Sequence, residues 1–87
     1  MELKNRLAMP SINHSYSEDG QVNERLTAYY ATRARGGVGM ITIGGCAVHP
    51  LGRSFRIIGI YDDKFIDGLS KLTAAVHSEG AKVIAQL

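Results

Sequence analysis

Two glycines and one glutamine are the residues of this sequence whose types and positions best suit ligand binding. Gly44 and Gly45 directly follow the apolar run 40–43, and Gln86 follows the apolar run 83–85. Glycines where a buried strand ends allow the backbone to approach a flat or anionic ligand closely, because no Cβ intervenes. The two glycines could equally serve only a turn. A side-chain amide at the end of an apolar strand is unfavourable in the core unless it has hydrogen-bonding partners. Gln86 therefore either binds a ligand or faces water.

The single cysteine limits the chemistry that this chain can carry. Cys46 has no second cysteine to pair with, which excludes an intramolecular disulfide and any cysteine-rich zinc or iron–sulfur site within the chain. A reducing, cytoplasmic setting is the natural inference. Cys46 could be a nucleophile or a cluster ligand, but lone buried cysteines usually behave as small apolar residues.

The histidines and tyrosines favour structural roles. His14 lies in a loop and could either face a substrate or be an ordinary surface histidine, while His49 and His77 are expected to be structural or solvated. The pair Tyr29-Tyr30 is most simply explained by helix packing. No residue is therefore assigned as catalytic, and none as a metal ligand.

Three strands and two helices must position these residues. We predict strands at 6–9, 40–43 and 82–87, the first closed by Pro10, which cannot donate to a ladder. The run 40–43 is short, continuously apolar and bounded by glycines, which is typical of a buried parallel strand. Residues 11–20 are rich in Ser, Asn, Asp and Gly and are predicted as a loop with room for polar ligand contacts.

The first helix is predicted over residues 22–35. Its start is Asn23 or Thr27, and Gly36 fits the position just after its end. Arg33 and Arg35 fall in its last turn, where positive charge complements the helix dipole. The apolar positions recur near the 3.6-residue period and are Val22, Leu26, Tyr29, Tyr30 and Ala34.

The second helix is predicted to begin at Asp62 or Asp63 and to end at Gly80. Its apolar positions recur at steps of four, three and four and are Phe65, Leu69, Leu72 and Val76. The connection 47–61 that precedes it contains Pro50 and Gly52 as turn residues, and residues 54–58 are predicted as a short extended piece.

The predicted order is βαβαβ, an α/β arrangement in which both crossovers contain a helix, as parallel strands require. Two helices on one face of a three-stranded parallel sheet leave the other face and both edges bare. We therefore expect the chain to be a truncation within a larger α/β fold that hides its bare sheet by self-association, by strand swapping or by pairing with the missing remainder.

Composition limits the number of domains, the class of protein and the kinds of partner that the sequence allows. The 87 residues allow one domain at most, and 45% hydrophobic with 21% charged residues is ordinary globular composition that argues against disorder. A net charge of +2 is too small to imply a nucleic-acid or membrane partner. The first residues lack the apolar run of a signal peptide, and no stretch approaches the ~20 apolar residues of a membrane span.

Taken together, the motifs resemble the Old Yellow Enzyme type of flavin-dependent ene-reductases, particularly the branch with 2,4-dienoyl-CoA reductase and 2-enoate reductase. The joint spacing of the matching pieces is specific, although each piece alone is weak. The matching segments are residues 3–10, Tyr29-Tyr30, residues 33–41, residues 49–53, residues 72–77, Gly80 and residues 85–87.

The resemblance implies a (β/α)₈ TIM barrel with FMN at the carboxyl ends of its strands, of which this chain would supply three strands and two main helices. It implies an activity in which NADH or NADPH reduces the flavin and the flavin then reduces an activated C=C bond of an enone or enoate. Asn13 falls at a position that often tunes the flavin, and the carboxamide of Gln86 offers a donor and an acceptor to the pyrimidine edge. The implied cofactor-binding residues are Pro10, Ser11, Ile12, Asn13, Gly45 and Gln86.

The chain departs from this family at two positions and lacks several of its parts. Ser11 replaces a proline that many relatives have, and Asn13 is not the commonest residue at the flavin-tuning position. The family's phosphate-binding loops, its basic residue near flavin N1 and its proton donor would lie beyond Leu87. Residues 1–87 are thus expected to be the N-terminal part of a flavin oxidoreductase domain that is inactive alone. The alternative is a noncatalytic, self-associating α/β fragment that binds no flavin.

Overall fold

The computed structural model describes residues 1–52 and 56–87 as a three-stranded parallel sheet with two α-helices. The strands are β1 (Ala8–Met9), β2 (Met40–Ile43) and β3 (Lys82–Ala85), and the helices are α1 (Glu24–Arg35) and α2 (Ile66–Ser78). The sheet order is β1-β2-β3, with both pairs parallel. The predicted βαβαβ fold with three parallel strands and two main helices is confirmed.

The register of the sheet brings the carboxyl ends of all three strands to one edge. Met9 of β1 pairs with Ile41 of β2, and Ile43 of β2 pairs with Ala85 of β3. Because the strands are parallel, the segments that follow Met9, Ile43 and Ala85 leave the sheet on the same side. This edge is where the predicted ligand-binding residues meet.

Helix α1 begins and ends by ordinary capping. The side chain of Asn23 accepts a hydrogen bond from the Leu26 N–H at 2.9 Å, which makes Asn23 the start and excludes Thr27. The predicted end at Arg35 is confirmed. The left-handed residue after it is Gly37 and not Gly36: Gly36 is still right-handed at φ −70°, and Gly37 takes the positive φ of +115° that turns the chain toward β2.

Helix α2 is preceded by one turn of 3₁₀ helix at Asp63–Phe65. The carboxylate of Asp62 accepts from the Lys64 N–H at 2.9 Å, so Asp62 caps this short turn and α2 itself starts at Ile66. The α-helix therefore begins later than the sequence suggests. It ends at Ser78, close to the predicted stop at Gly80.

The core lies between the helices and one face of the sheet. Ile41 and Ile43 alternate along β2 and are buried, and they pack with Leu72 and Val76 of α2, which are also buried. On β3, Ile84 is 41% exposed, and Leu7, just before β1, and Leu87, after β3, are exposed as well. One face of the sheet is thus covered and the other is partly bare, as the sequence predicts.

Two predicted strands are shorter in the structure. Residues 6 and 7 do not join β1: the Leu7 carbonyl accepts from the N–H of Gly39, in the turn before β2, and from the N–H of Met40, the first residue of β2. The last strand ends at Ala85 rather than Leu87. Of the predicted extended piece at 54–58, residues 54 and 55 lie outside the described residues, and residues 56–58 form a turn and a loop. Within residues 1–52 and 56–87, neither helix is long and apolar enough to cross a membrane.

Candidate functional site

The backbone of Gln86 joins the ends of β2 and β3. Its N–H donates to the Ile43 carbonyl at 2.8 Å, and its carbonyl accepts from the Cys46 N–H at 2.7 Å. These two bonds fix the chain on both sides of the Gly44–Gly45 turn. The Gln86 side chain is left exposed beside that turn, with a donor and an acceptor available for a ligand.

Gly44 and Gly45 differ sharply in their surroundings, although both are glycines and a cis peptide bond joins them. Gly44 is buried at φ +126°, and a Cβ added to it would lie 2.8 Å from the Gln86 carbonyl oxygen. A Cβ on Gly45 would meet no described atom within 4 Å. Gly44 therefore serves the turn, whereas Gly45 presents an open backbone surface that a flat ring can approach.

The segment after β1 supplies the other predicted ligand residues. Pro10 and Ser11 follow Met9 directly, and Ile12 and Asn13 have exposed side chains. Ile12 and Asn13 share a small cleft with the two glycines, with His14 and with Tyr30. The cavity volume of about 20 Å³ is enough for a water molecule and far too small for a flavin. A flat ligand would thus lie over this edge and not within the cleft.

The structure accordingly places the six residues in two groups. Asn13 and Ile12 line the same cleft as Gly45, and Gln86 is tied by its backbone to the loop that contains Gly45. Pro10 and Ser11 lie at the same edge by strand order, but they do not line the cleft. No structural observation assigns a ligand contact to any of the six, and their flavin-binding roles stay predictions.

His14 is not an ordinary surface histidine. Its Nε2 atom lies 3.0 Å from the Tyr30 hydroxyl, at hydrogen-bonding distance. Its ring centroid lies 4.1 Å from that of Tyr29 and 5.6 Å from that of Tyr16. Burial lowers the pKa of His14 from 6.5, and the positive charge of Arg33 lowers it further. The imidazole is therefore held in its neutral form near neutral pH.

This lowered pKa makes stability depend on pH. Below 6.5 the unfolded chain binds the His14 proton more readily than the folded chain, so stability rises with pH and is lost as the pH falls through that range. We expect urea unfolding of the wild-type chain to show a greater loss of stability on acidification below 6.5 than unfolding of His14→Gln. Parallel pH profiles for the two chains would contradict the assignment.

Tyr30 and Cys46 lie side by side beneath the glycine turn. Both are buried. Burial is the largest cause that raises the pKa of Tyr30 to about 12. Cys46 and Tyr29 raise this pKa further by smaller amounts, and the nearby Gly44 backbone lowers it. Burial also raises the pKa of the Cys46 thiol. A raised pKa disfavours the thiolate, so Cys46 fits the predicted small apolar role better than a nucleophilic one.

Arg33, Arg35 and His49 have structural contacts. Arg33 lies 3.4 Å above the Tyr29 ring and donates to the Tyr29 carbonyl, and Arg35 pairs with Glu79 at 3.1 Å. The Nδ1 atom of His49 accepts from the Leu51 N–H at 3.2 Å. Among the described residues, no group of three His, Cys, Asp or Glu side chains is placed to hold a metal ion.

Sequence reasoning misses the His14–Tyr30 pair. The sequence predicts only packing for Tyr30, and its ring is indeed buried in the core, but its hydroxyl lies 3.0 Å from His14 Nε2 in the loop after β1. A detectable signal exists, since Tyr30 follows the buried Leu26 by four positions on the apolar stripe. A tyrosine hydroxyl in such a position needs a hydrogen-bonding partner.

Two curated proteins resemble this chain along nearly its whole length. The chain is 41% identical over 87 residues to a metal reductase of Desulforamulus reducens, covering 100% of this chain and 13% of that protein. It is 41% identical over 88 residues to an NADH oxidase of Thermoanaerobacter brockii, covering 98% of this chain and 14% of that protein. The chain thus spans about one-seventh of the length of these curated relatives.

Solved structures superpose on the same segment. 2-Naphthoyl-CoA reductase, in complex with 2-naphthoyl-CoA, gives a TM-score of 0.93 at 31% identity over 98% of this chain and 13% of its own. Morphinone reductase, in complex with tetrahydroNAD, gives 0.84 at 25% identity over 95% of this chain and 23% of its own. The family model of the NADH:flavin oxidoreductases and NADH oxidases matches residues 1–87. The chain therefore belongs to the NADH:flavin oxidoreductase / NADH oxidase family.

Proposed function

We propose that residues 1–87 are the N-terminal part of an FMN-dependent oxidoreductase domain that reduces activated C=C bonds with hydride from NADH or NADPH. The observation that carries the proposal is the edge formed by Gly45 and Gln86. An open backbone surface and an exposed carboxamide lie there side by side, at the carboxyl ends of parallel strands.

The residues present fit one side of a flavin. Gly45 leaves the space that a flat ring needs, and Gln86 can donate to and accept from the polar edge of its pyrimidine part. Pro10, Ser11, Ile12 and Asn13 would contact the same ring from the end of β1. When bound, FMN supplies hydride transfer between the nicotinamide and the substrate.

What this chain contributes is binding and orientation. The two backbone bonds of Gln86 fix the direction in which its side chain leaves β3. The groups that would hold the phosphate and deliver a proton to substrate are proposed to lie outside these 87 residues. We therefore propose that the 87-residue chain alone is inactive.

The substrate and the subfamily are proposed more narrowly from the sequence motifs. We infer an enone or enoate substrate and membership of the 2,4-dienoyl-CoA and 2-enoate reductase branch. The 31% identity to 2-naphthoyl-CoA reductase supports an acyl-CoA-like substrate. A cytoplasmic location is supported by the single, buried cysteine.

Association through the bare sheet is also proposed. β3 forms an edge of the described sheet, and Ile84 and Leu87 are exposed beside it. An exposed edge with apolar side chains favours pairing with another chain or with further strands of a barrel. Light scattering of the 87-residue chain is expected to give a mass above that of the monomer, and a stable monomer would contradict this proposal.

The decisive experiment compares the product of the complete reading frame with the 87-residue chain. The complete protein is expected to be yellow, to bind FMN and to reduce an enone with NADH or NADPH, while the 87-residue chain reduces none. A complete protein that stays colourless after FMN titration would contradict the proposal and support the alternative, a noncatalytic self-associating fragment.

Gln86→Leu tests the carboxamide within the complete protein. The substitution keeps the backbone bonds but removes the side-chain donor and acceptor, so we expect FMN affinity to fall about tenfold or more. Lys82→Gln, at the opposite end of the same strand, is the matched control and should leave the affinity unchanged. Equal FMN affinities for Gln86→Leu and the wild-type protein would contradict the role of Gln86.

A further inference from the structure

Arg56 joins two of the three loops at the carboxyl edge of the sheet, which we call the ligand-facing edge. It lies in the connection after β2 and lines the same small cleft as Asn13 and Gly45. Its side chain bonds to Ser17 in the loop after β1. We propose that Arg56 is a positioning residue that fastens the loop after β1, and with it Asn13, to the connection after β2. The inference deepens the proposed flavin site and rests on it.

Hydrogen bonds join Arg56 and Ser17 in both directions. The Ser17 N–H donates to the Arg56 carbonyl at 3.2 Å, and the Arg56 Nε–H donates to the Ser17 carbonyl at 3.2 Å. Further along the same two segments, the Gly59 N–H donates to the Gly20 carbonyl at 2.8 Å. The loop and the connection are thus held together at two points, and at the first of them a side chain takes part.

Ser17 is suited to be the fixed point of the loop. It is 1% exposed, and buried polar groups require hydrogen-bonding partners. Its hydroxyl donates to the Gln21 carbonyl at 2.9 Å, while its N–H and its carbonyl both bond to Arg56. Without the guanidinium the buried Ser17 carbonyl loses this donor, and the loop must open to let water replace it.

The connection after β2 gives this link a fixed support. The Ala47 N–H donates to the Ile58 carbonyl at 2.8 Å, and the Ile60 N–H donates to the Ala47 carbonyl at 2.9 Å. The adjacent Cys46 N–H donates to the carbonyl of Gln86 after β3. Hydrogen bonds therefore run from the end of β3, through the connection after β2, to the loop after β1.

The loop after β1 also has contacts with α1. The Asn23 Nδ2 atom donates to the Tyr16 carbonyl at 2.7 Å, and His14 Nε2 lies 3.0 Å from the Tyr30 hydroxyl. These contacts hold the loop against the helix, whereas Arg56 holds it against the connection after β2. We therefore expect loss of the Arg56 side chain to displace the loop and not to unfold it.

The ion pair of Arg56 is expected to contribute less than its bond to Ser17. A guanidinium nitrogen lies 2.9 Å from Glu18 Oε1, but the two side chains are 59% and 78% exposed, and exposed pairs stabilise a protein little. Glu18→Gln separates the two contacts, because it removes the charge pair and keeps the Nε bond. Arg35→Gln is the matched control, since Arg35 also pairs with a glutamate but lies at the C-terminal end of α1.

Hydrogen–deuterium exchange of the complete protein in its flavin-free form tests the link without any ligand. In Arg56→Gln the amides of Ser17 and Gly59, which bond across the two segments, are expected to exchange about fivefold to tenfold faster. This increase corresponds to the loss of about one hydrogen bond. The amides of Ala47 and Ile60 bond within the connection after β2, so their exchange should stay unchanged.

Two further variants locate the effect in the bond to Ser17. Glu18→Gln and Arg35→Gln should exchange as the wild-type protein does. Unchanged exchange at Ser17 in Arg56→Gln, or an equal increase in every segment, would overturn the proposal. An equal increase in Glu18→Gln would also overturn it, because the ion pair would then be the link.

FMN binding by the complete protein tests the link to function. Arg56→Gln is expected to weaken FMN binding about threefold to tenfold and to shift the visible flavin absorption, because Asn13 moves with the loop, while Arg35→Gln changes neither. A wild-type protein that binds no FMN would refute the proposed function, and the exchange result would still decide whether Arg56 holds the loop. Faster exchange at Ser17 together with unchanged FMN binding and spectrum would overturn the role toward the flavin.

Discussion

Gly44→Ala is expected to lower the free energy of unfolding by about 2–4 kcal/mol, as backbone strain adds to overpacking. The residue has φ +126°, which L side chains rarely adopt, and the new Cβ would lie 2.8 Å from the Gln86 carbonyl oxygen. That oxygen also accepts the Cys46 N–H, so it cannot move away without breaking a backbone hydrogen bond. Urea unfolding followed by circular dichroism at fixed protein concentration measures the loss.

Gly45→Ala is the control from the adjacent position. A Cβ there meets no described atom within 4 Å, so the free energy of unfolding should change by less than about 1 kcal/mol. In the complete protein the same methyl group would occupy the surface proposed for the flavin and weaken FMN binding. Equal losses of stability in the two alanine variants would show that the glycines are not distinguished in the way that the structure indicates.

Phe65→Ala is expected to destabilise the chain by about 3–5 kcal/mol, as truncation of a buried aromatic ring typically does. The side chain is 1% exposed and packs against the Tyr61 ring at a centroid distance of 4.9 Å. Gly20 and Gly59 also approach the ring so closely that a Cβ on either would lie 3.0 Å or less from it. Two loops therefore lose their packing when this one ring is removed.

A loss of that size is comparable to the total stability of a small domain, which is about 5–15 kcal/mol. The variant is thus expected to unfold at markedly lower urea concentration or to be largely unfolded in buffer. Leu51→Ala is the control, because Leu51 is 92% exposed and its truncation should change stability by no more than about 0.5 kcal/mol. A loss below about 1 kcal/mol for Phe65→Ala would contradict the packing seen around the ring.

The elements that can be predicted are those whose patterns are local. β2 is predicted within its true bounds because a short, mainly apolar run is bounded by glycines. The existence of α2 is predictable because Leu72 and Val76 recur at a helical step, although its first residue is not. β1 is predicted too long because Leu7 bonds to a turn some thirty residues later in the sequence. These long-range hydrogen bonds of Leu7 produce no periodic pattern in the sequence around it, so they cannot be predicted from that sequence.

The site is predictable in outline but not in its internal contacts. The order βαβαβ alone places the residues after β1, β2 and β3 at one edge, so Asn13, Gly45 and Gln86 can be grouped from their positions in the sequence. The pairing of His14 with Tyr30 depends on how α1 packs against the loop. The contrast between Gly44 and Gly45 depends on where the Gln86 backbone lies, and two adjacent glycines look identical in a sequence.

The two backbone hydrogen bonds of Gln86 also affect when the ligand-facing edge can form during synthesis. Ile43 and Cys46 emerge from the ribosome roughly forty residues before Gln86, which supplies their partners. The contact is of long range in sequence, and closing such loops is slow compared with forming a helix. The nascent chain can thus complete α1 and then α2 while the turn at Gly44–Gly45 remains unfixed, and the flavin site that we propose at this edge would be assembled only after β3 has docked.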